Sequence, residues 1–198
     1  MSTHERILEV AMASFGTRGF EATSLDALAS ELGITKQTIL YWFPSKVALL
    51  DSVIEHGATE LAAALEVAVS GSDPGMARMQ AVMDTVFRFA VRRPALLGLL
   101  REVGRLGPEV AGDLAERMSP LVERAVSMLE REMDAGVIRR TDPRVLLLLV
   151  YATVVGVATE VEAQRAVGLP ATRATLRRLR RELFAFVRAA MLPPPGSA

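Results

Sequence analysis

"ITKQTILYWFPSK", residues 34–46, gathers residue types that are scarce in the rest of the chain. It contains both lysines, the only tryptophan and one of the two tyrosines, whereas arginine supplies the positive side chains elsewhere. Thr35 is a favourable N-cap and Pro44 cannot continue a helix, so the stretch predicts a short helix from Lys36 to about Phe43. No acidic residue lies within the stretch, which makes this helix locally positive.

Two further helices are predicted before this one. The first runs from about Thr3 to Thr17, and the second begins near Thr23 or Ser24 with leucines at spacings of three and four. Gly33 suits the left-handed residue that follows a helix, so a short turn joins the second helix to the third. Two short helices joined by a glycine-containing turn predict a helix-turn-helix.

On a helical wheel, the third helix has two different faces. One face is apolar, with Ile39, Trp42 and Phe43, and is predicted to pack against the first two helices. The opposite face carries a cation, an amide and a phenol near the end of the helix that a recognition helix presents to base edges. Its residues are Lys36, Gln37, Leu40 and Tyr41.

Residues 15–50, "FGTRGFEATSLDALASELGITKQTILYWFPSKVALL", resemble the N-terminal pattern of the TetR family of bacterial transcriptional regulators. The Gly-Phe pair, the Thr-Ser helix start, the turn glycine and the Phe-x-Ser-Lys segment have the family's spacing, and nearly every keyed position matches. The resemblance is close over this segment and extends to the rest of the chain only as an all-helical arrangement. It implies a DNA-binding regulator.

The resemblance also implies DNA contacts at individual positions. Residues at the starts of helices two, three and four match positions that contact phosphate, and the first turn of the third helix matches the residues that recognise bases. The implied contacts are Thr23, Thr35 and Lys46 to phosphate, Lys36, Gln37 and Thr38 to bases, and Tyr41 to a base or the DNA backbone.

Two positions depart from the family pattern. Members usually carry tyrosine at the position of Leu40, and histidine or tyrosine at that of Trp42. Leu40 lies on the outward face, where an isobutyl group can pack against a thymine methyl, so we hypothesise that the operator places a thymine there. Trp42 stays among the candidate DNA contacts, although packing is the favoured role for both Trp42 and Phe43.

Composition narrows the class of protein. Of the 198 residues, 51% are hydrophobic and 23% charged, as in globular proteins, and the formal net charge is zero, so a nucleic-acid partner must be inferred from local charge alone. The absence of cysteine excludes disulfides and thiolate metal sites. No apolar signal segment begins the chain, and the longest apolar run, residues 145–158, is too short to span a bilayer. These features predict a cytoplasmic protein with no membrane partner.

The remaining sequence predicts six more helices, so the fold class is all-α with about nine helices. No stretch alternates polar and apolar residues as a strand would. Helix seven is predicted to contain Pro120, and helix eight to run from Pro143 to about Val167. The predicted divisions are a helix-turn-helix DNA-binding domain at 1–46, a ligand-binding and dimerisation domain at 47–192, and a flexible tail at 193–198.

The last two helices predict a dimer interface. Helix eight is apolar nearly all round and must be covered on more than one face. Helix nine has a narrow apolar seam flanked by arginines, which suggests a four-helix interface with a second copy, as the family resemblance also implies. Packing of both helices inside one monomer is the alternative. The seam residues are Leu176, Leu179, Leu183, Phe186 and Ala190.

The resemblance implies that the middle helices enclose a small-molecule effector. Methionine adapts to irregular ligands, and helix five has a stripe rich in methionine and phenylalanine. The few aromatic residues favour an aliphatic or mixed ligand over a stacked planar cation. The candidate lining residues are Met83, Phe87, Arg101, Met118, Leu121, Val122, Tyr151 and Glu160.

The sequence therefore predicts a homodimeric regulator, a repressor that binds a palindromic operator and is released by an unidentified effector, with no cofactor or metal. An enzyme is the competing class, but the chain has only two histidines and no nucleophile or phosphate-loop motif. His56 and Glu60 lie one helical turn apart, yet two ligands do not make a metal site. A helical ligand-binding protein that has lost DNA binding is the third possibility.

Overall fold

The computed structural model describes residues 1–103 and 108–193, without the side chains of residues 100–103, 108–111, 113 and 114. The described residues form ten α-helices and no strand, which confirms the predicted all-α class. The helices are α1 Thr3–Arg18, α2 Leu25–Leu32, α3 Lys36–Trp42, α4 Lys46–Ser70, α5 Met76–Arg92, α6 Pro94–Val103, α7 Pro108–Asp134, α8 Pro143–Thr159, α9 Val161–Ala166 and α10 Arg173–Met191.

One predicted helix is two helices in the structure. The expected helix from Pro143 to about Val167 ends at Thr159, because Glu160 leaves helical geometry with φ −82° and ψ 67°. Its N–H still donates to the carbonyl of Gly156 at 2.9 Å. The side-chain amide of Gln164 donates to the carbonyl of Val157 at 2.9 Å, so a carbonyl at the end of α8 is satisfied without a continuous helix. The break raises the helix count from about nine to ten.

The chain divides into two compact units. The first contains residues 1–61 and 93–119, and the second contains residues 62–92 and 120–198. The division therefore falls inside α4 and α7, whereas the sequence predicted a domain boundary after Lys46. The predicted flexible tail lies almost wholly outside the described residues.

In the first unit, α1 packs on α2 and α6, and α2 packs on α3. The side chains of Ile7, Phe15, Leu28 and Ile39 are fully buried in this core. Burial of side chains of this size stabilises a fold by about 1.5–3 kcal/mol each. The core thus fixes α3 from its inner face.

Two glycines allow the backbones of α1 and α6 to approach closely. A Cβ atom placed on Gly16 would lie 2.1 Å from the carbonyl oxygen of Ala95, and one placed on Gly98 would lie 3.0 Å from the carbonyl oxygen of Gly16. Any side chain at Gly16 would therefore collide with backbone. The fit of α6 against α1 depends on this glycine.

An ion network ties α1, α4 and the start of α6 together. Arg93 contacts the carboxylate of Glu9 at 2.7 Å and that of Glu60 at 2.9 Å. Its hydrogen bond to Glu9, followed by that to Glu60, raises the pKa of the Arg93 guanidinium. Glu60 is thereby engaged by an arginine, and His56 lies 3.8 Å from Glu9. The part of the chain that is described contains no group of three candidate metal ligands.

In the second unit, α8 packs on α5 and α10. The core of the unit includes Met83, Phe87, Val154 and Leu183. Asp84 lies largely buried on α5 and pairs with Arg88 of the same helix at 2.8 Å and with Arg180 of α10. Among the described helices, none is long and apolar enough to cross a membrane.

Candidate functional site

The turn before α3 positions the helix through backbone geometry. Gly33 has φ 67° and ψ 33°, a left-handed conformation that glycine adopts at little cost. The N–H of Ile34 donates to the carbonyl of Ala29 at 3.0 Å, which closes the end of α2. Thr35 then caps α3, because its hydroxyl accepts from the N–H of Thr38 at 3.2 Å. The α2–turn–α3 arrangement is the predicted helix-turn-helix.

The inner face of α3 is anchored by packing. Ile39 is fully buried and Phe43 is 2% exposed, as their positions on the wheel predicted. The ring of His4, from α1, lies 5.0 Å from that of Phe43 and 5.5 Å from that of Trp42. Trp42 is 45% exposed, so the structure does not place it in the core with Phe43.

The outer face of α3 presents an amide and a phenol to solvent. Gln37 and Tyr41 are one helical turn apart and both are exposed, Tyr41 to 80%. An aromatic side chain so exposed on a short, well-anchored helix has no role in the core. Leu40 beside it is 36% exposed. These three side chains form a continuous outward surface.

Lys36, at the start of α3, is held by a neighbouring acid. Its ammonium lies 2.8 Å from a carboxylate oxygen of Asp26 on α2, and the two side chains are 42% and 67% exposed. Exposed pairs of this kind contribute about 0–1 kcal/mol, so the lysine can exchange Asp26 for another anion at little cost. Asp26 would nevertheless repel a phosphate that approached this end of the helix.

Lys46 lies at the first position of α4, which is capped by the hydroxyl of Ser45 through the N–H of Ala48 at 3.0 Å. The Lys46 ammonium lies 4.3 Å from the centre of the Phe20 ring and donates to the carbonyl of Glu21 at 3.3 Å. These contacts place the positive charge beside the N-terminus of α4, where the helix dipole also favours an anion. An anion bound here would be attracted by both.

The three candidate threonines differ in what their hydroxyls can offer. Thr23 is 2% exposed, and its hydroxyl donates to the carbonyl of Gly19 at 2.8 Å, so Ser24 rather than Thr23 caps α2. A phosphate contact through Thr23 would require the loss of that hydrogen bond. The hydroxyls of Thr35 and Thr38 lie 2.9 Å apart, and only one of them can donate to the other. One hydroxyl proton therefore remains for an outside acceptor.

Comparison with known proteins gives this domain a family. Residues 7–53 match the family model described as bacterial regulatory proteins, tetR family. The helix-turn-helix domain belongs to the TetR family. The family assignment confirms the resemblance inferred from residues 15–50.

TetR-family likeness extends beyond the matched segment mainly as fold. The nucleoid occlusion factor SlmA of Haemophilus influenzae is 28% identical over 83 residues, which span 42% of this chain and 38% of SlmA. The ketosteroid transcriptional regulator KstR2 of Mycobacterium tuberculosis has a TM-score of 0.75 at 20% identity, over 98% of this chain and 96% of KstR2. AibR, solved with isovaleryl coenzyme A and operator DNA, has a TM-score of 0.76 at 20% identity, over 93% of this chain and 97% of AibR.

The second unit contains a groove of about 340 Å³ between α4, α5 and α7. That volume lies at the low end of the range typical of small-molecule sites, about 300–1,000 Å³. Apolar side chains form most of its wall, and five polar residues of α4 and α7 line the rest. The lining residues are Ala62, Leu65, Glu66, Val69, Val82, Leu121, Glu123, Arg124, Ala125, Ser127, Met128 and Arg131.

Only one predicted ligand-contacting residue, Leu121, lines this groove. Met83 and Phe87 are each 3% exposed, because they lie on the side of α5 that packs in the core. The α5 residue that lines the groove is the adjacent Val82. Met118 and Val122 are half-buried outside the lining, Tyr151 and Glu160 are exposed, and the side chain of Arg101 lies outside those described.

The α4 residues were not predicted to contact a ligand. Ala62, Leu65 and Val69 recur at spacings of three and four on α4, and Leu121, Ala125 and Met128 do so on α7. Each pattern is visible in the sequence as an apolar face. The sequence does not show that the apolar faces of α4 and α7 line the same space, and the groove exists because they do.

The predicted dimer seam on α10 is only partly exposed. Leu183 is 4% exposed and belongs to the core of its own unit, whereas Phe186 is 65% exposed and Ala190 is exposed. Leu176 and Leu179 are half-buried. The adjacent α8, which the sequence predicted to be apolar nearly all round, has Val145, Leu148 and Leu149 between 51% and 64% exposed.

Proposed function

We propose that this chain is a homodimeric transcription regulator, a repressor, that binds a palindromic operator and is released when a small molecule occupies the groove of the second unit. The TetR-family assignment of the helix-turn-helix supports the DNA-binding part. The apolar face of α8 and α10 supports the dimer. The groove supports effector binding.

The outward surface of α3 carries the proposal. Gln37 can donate to and accept from an adenine edge in the bidentate manner typical of amides, and Tyr41 can donate to a phosphate or a base. The ammonium groups of Lys36 and Lys46 can neutralise phosphates on either side of the helix, and one proton of the Thr35–Thr38 pair can join them. These groups would be the DNA-reading surface of each subunit.

Two-fold symmetry follows from the proposed dimer. Exposed apolar side chains on the neighbouring helices α8 and α10, such as Leu148 and Phe186, support an interface here, since apolar patches on a surface mark interaction sites. An isologous contact through this surface would pair two identical helix-turn-helix domains, and such pairs read palindromic half-sites. The operator is therefore proposed to have two-fold symmetry.

Effector control requires that the ligand binds two states of the dimer with different affinity. AibR, a fold neighbour, was solved with an acyl coenzyme A and operator DNA, which is consistent with both kinds of binding in one fold. Two features favour the competing candidate, a helical ligand-binding protein that no longer reads DNA: Leu40 departs from the family pattern, and the Asp26 carboxylate beside Lys36 would repel a phosphate. The two candidates differ in one measurable property, sequence-selective binding to DNA.

Selection from a pool of randomised duplexes tests the proposal. We expect enrichment of a two-fold symmetric site by the wild-type chain. A Tyr41→Ala chain should enrich no such site, whereas a Gln80→Ala chain, altered on the exposed part of α5, should enrich the same site as the wild type. Failure of the wild type to enrich any sequence would favour the ligand-binding protein.

A further inference from the structure

The groove between α4, α5 and α7 is mostly apolar, yet charged side chains line part of it. Among its lining residues are two arginines, Arg124 and Arg131, and two acids, Glu66 and Glu123. The carboxylate of Glu123 is already engaged, because an Arg144 nitrogen lies 2.9 and 3.0 Å from its two oxygens. Glu66 is the remaining acid, so the lining has an excess of one uncompensated positive charge.

Neither arginine of the groove has an acidic partner in the described chain. Arg124 donates from Nε to the carbonyl of Pro120, in its own helix, at 3.3 Å. The guanidinium of Arg131 makes no hydrogen bond or ion pair with any described residue. Their side chains differ in this from Arg93 and Arg144, each of which pairs with a carboxylate. The groove therefore holds two guanidinium groups that can bind an added anion.

The positions of the two arginines on α7 place them around a hydroxyl. Arg124 and Arg131 are seven residues apart, which is two helical turns or about 10 Å along the axis. Ser127 lies between them and also lines the groove. Guanidinium groups bind carboxylates and phosphates through paired N–H donors, and a serine hydroxyl can add one more. Together they form one polar edge of the groove.

The other walls favour a hydrocarbon. Leu65 and Val69 of α4, Val82 of α5 and Met128 of α7 face the same space, and the methylene stems of the arginines extend this apolar surface. Methionine in particular adapts its shape to flexible ligands. The walls would exclude water from an aliphatic chain while its polar end stays at the arginine edge.

We propose that the groove binds an anionic amphiphile, a small molecule with an aliphatic body and a carboxylate or phosphate head held by Arg124, Arg131 and Ser127. This inference rests on the proposed function for its regulatory meaning, since it names the chemical class of the effector. It excludes cationic ligands, whose head would face two arginines.

Three probes with the same eight-carbon tail separate the contribution of the head from that of the tail. Octanoate, octanol and octyltrimethylammonium are titrated against the full chain by isothermal calorimetry. We expect octanoate to bind about tenfold more tightly than octanol and octyltrimethylammonium to bind least well. The advantage of octanoate should disappear at high salt, because salt screens charges in a site that is open to solvent. Octyl phosphate should follow octanoate, and its comparison identifies which anion the groove prefers.

Substitutions then assign the effect to the groove. Arg124→Gln combined with Arg131→Gln should remove the tenfold preference for octanoate and leave octanol binding unchanged. Arg177→Gln, at an exposed arginine of α10 outside the groove, is the matched control and should keep the preference. Glu66→Gln removes the opposing charge and should tighten octanoate binding two- to fivefold. Ala62→Trp fills the groove and should weaken binding of octanoate and octanol alike.

The proposal is overturned if octanoate shows no saturable binding, if octanol binds equally well, or if the double arginine variant keeps the preference. These outcomes are distinct from failure of the proposed function. Arginine-dependent binding of octanoate that leaves DNA affinity unchanged supports the ligand class and contradicts effector release. Release of operator DNA by octanol as effectively as by octanoate supports effector release and contradicts the anionic class.

Discussion

At the scale of single residues, Asp26 limits the positive charge that α3 presents. Its carboxylate lies 2.8 Å from the Lys36 ammonium. Asp26→Asn removes an acid next to the approaching phosphates and frees the lysine, so DNA affinity should rise about two- to fivefold, equivalent to roughly 0.5–1 kcal/mol. The gain should shrink as salt is added. Fluorescence anisotropy with the selected duplex measures it.

Glu31→Gln is the matched control for Asp26→Asn. Glu31 is also an exposed acid of α2 and pairs with Arg18 at 2.9 Å, away from Lys36. Its substitution should change DNA affinity less than that of Asp26. Equal gains from the two variants would mean that net charge, and not the Lys36 contact, sets the affinity.

Leu40 is expected to read a thymine methyl. The side chain is 36% exposed beside Tyr41. Replacing operator thymines by uracil one at a time should weaken binding about fourfold at one position per half-site, since a buried methyl group is worth about 0.8 kcal/mol. A Leu40→Ala chain should no longer distinguish thymine from uracil there. The hypothesis fails if no thymine replacement in the operator matters to the wild type.

The sequence predicted which side chains of α3 face the core and which face solvent, but not the contacts that these side chains make. The helical period assigned the correct faces to the buried Ile39 and Phe43 and to the exposed Gln37 and Tyr41. It could do so because the directions of side chains around a helix are fixed by its geometry. The burial of Thr23 was missed, because a cap preference does not say which of two adjacent hydroxyls points outward. Trp42 is half-exposed at the end of α3, and its contact with His4 joins positions that are distant in the sequence.

At the scale of helices, the contact of α6 with α1 depends on Gly16. A Cβ there would lie 2.1 Å from a backbone oxygen and 2.5 Å from the Cα of Ala95, and neither can move without shifting α6. Gly16→Ala should therefore lower the free energy of unfolding by about 1–3 kcal/mol or more. Urea denaturation followed by circular dichroism measures this change.

Gly112→Ala provides the opposite case within α7. A Cβ at Gly112 would have no atom of the described residues within 4 Å, and alanine is about 0.5–1 kcal/mol better than glycine in a helix. This variant should be as stable as the wild type or slightly more so. If Gly16→Ala were equally benign, α6 would not pack on α1 as described.

The sequence also predicted helix types better than helix ends and pairings. The start of α8 at Pro143 was predicted, whereas its cap was not: the carboxylate of Asp142 accepts from the N–H of Arg144 at 2.8 Å. The end of α8 was not readable, since neither proline nor glycine marks Glu160 and the break is stabilised by Gln164 from the next helix. The groove was not predictable either, because it is formed by two helices, α4 and α7, that are distant in the sequence.

At the scale of the whole molecule, the proposed dimer should depend on the exposed side chains of α8 and α10. Leu148 is 64% and Phe186 65% exposed. Leu148→Arg combined with Phe186→Arg would place charge in an apolar interface and should yield a monomer of about 21.4 kDa in sedimentation velocity. Operator affinity should fall as well, because a monomer reads only one half-site.

Val67→Arg controls for the added charge. Val67 is 72% exposed and belongs to a different helix, α4. The variant should remain a dimer. A dimer that survives the double substitution on α8 and α10 would place the interface elsewhere.

Sequence reading by α3 is tested most directly by comparing a selected duplex with a scrambled one. Wild type, Gln37→Ala and Gln80→Ala chains are titrated with both duplexes over a series of salt concentrations. We expect Gln37→Ala to lose about 1–3 kcal/mol of binding free energy on the selected duplex and little on the scrambled one. Its affinity should depend on salt as that of the wild type does, and Gln80→Ala should behave as the wild type. Equal losses on both duplexes, or no loss on either, would contradict the assignment of α3 as the helix that reads DNA.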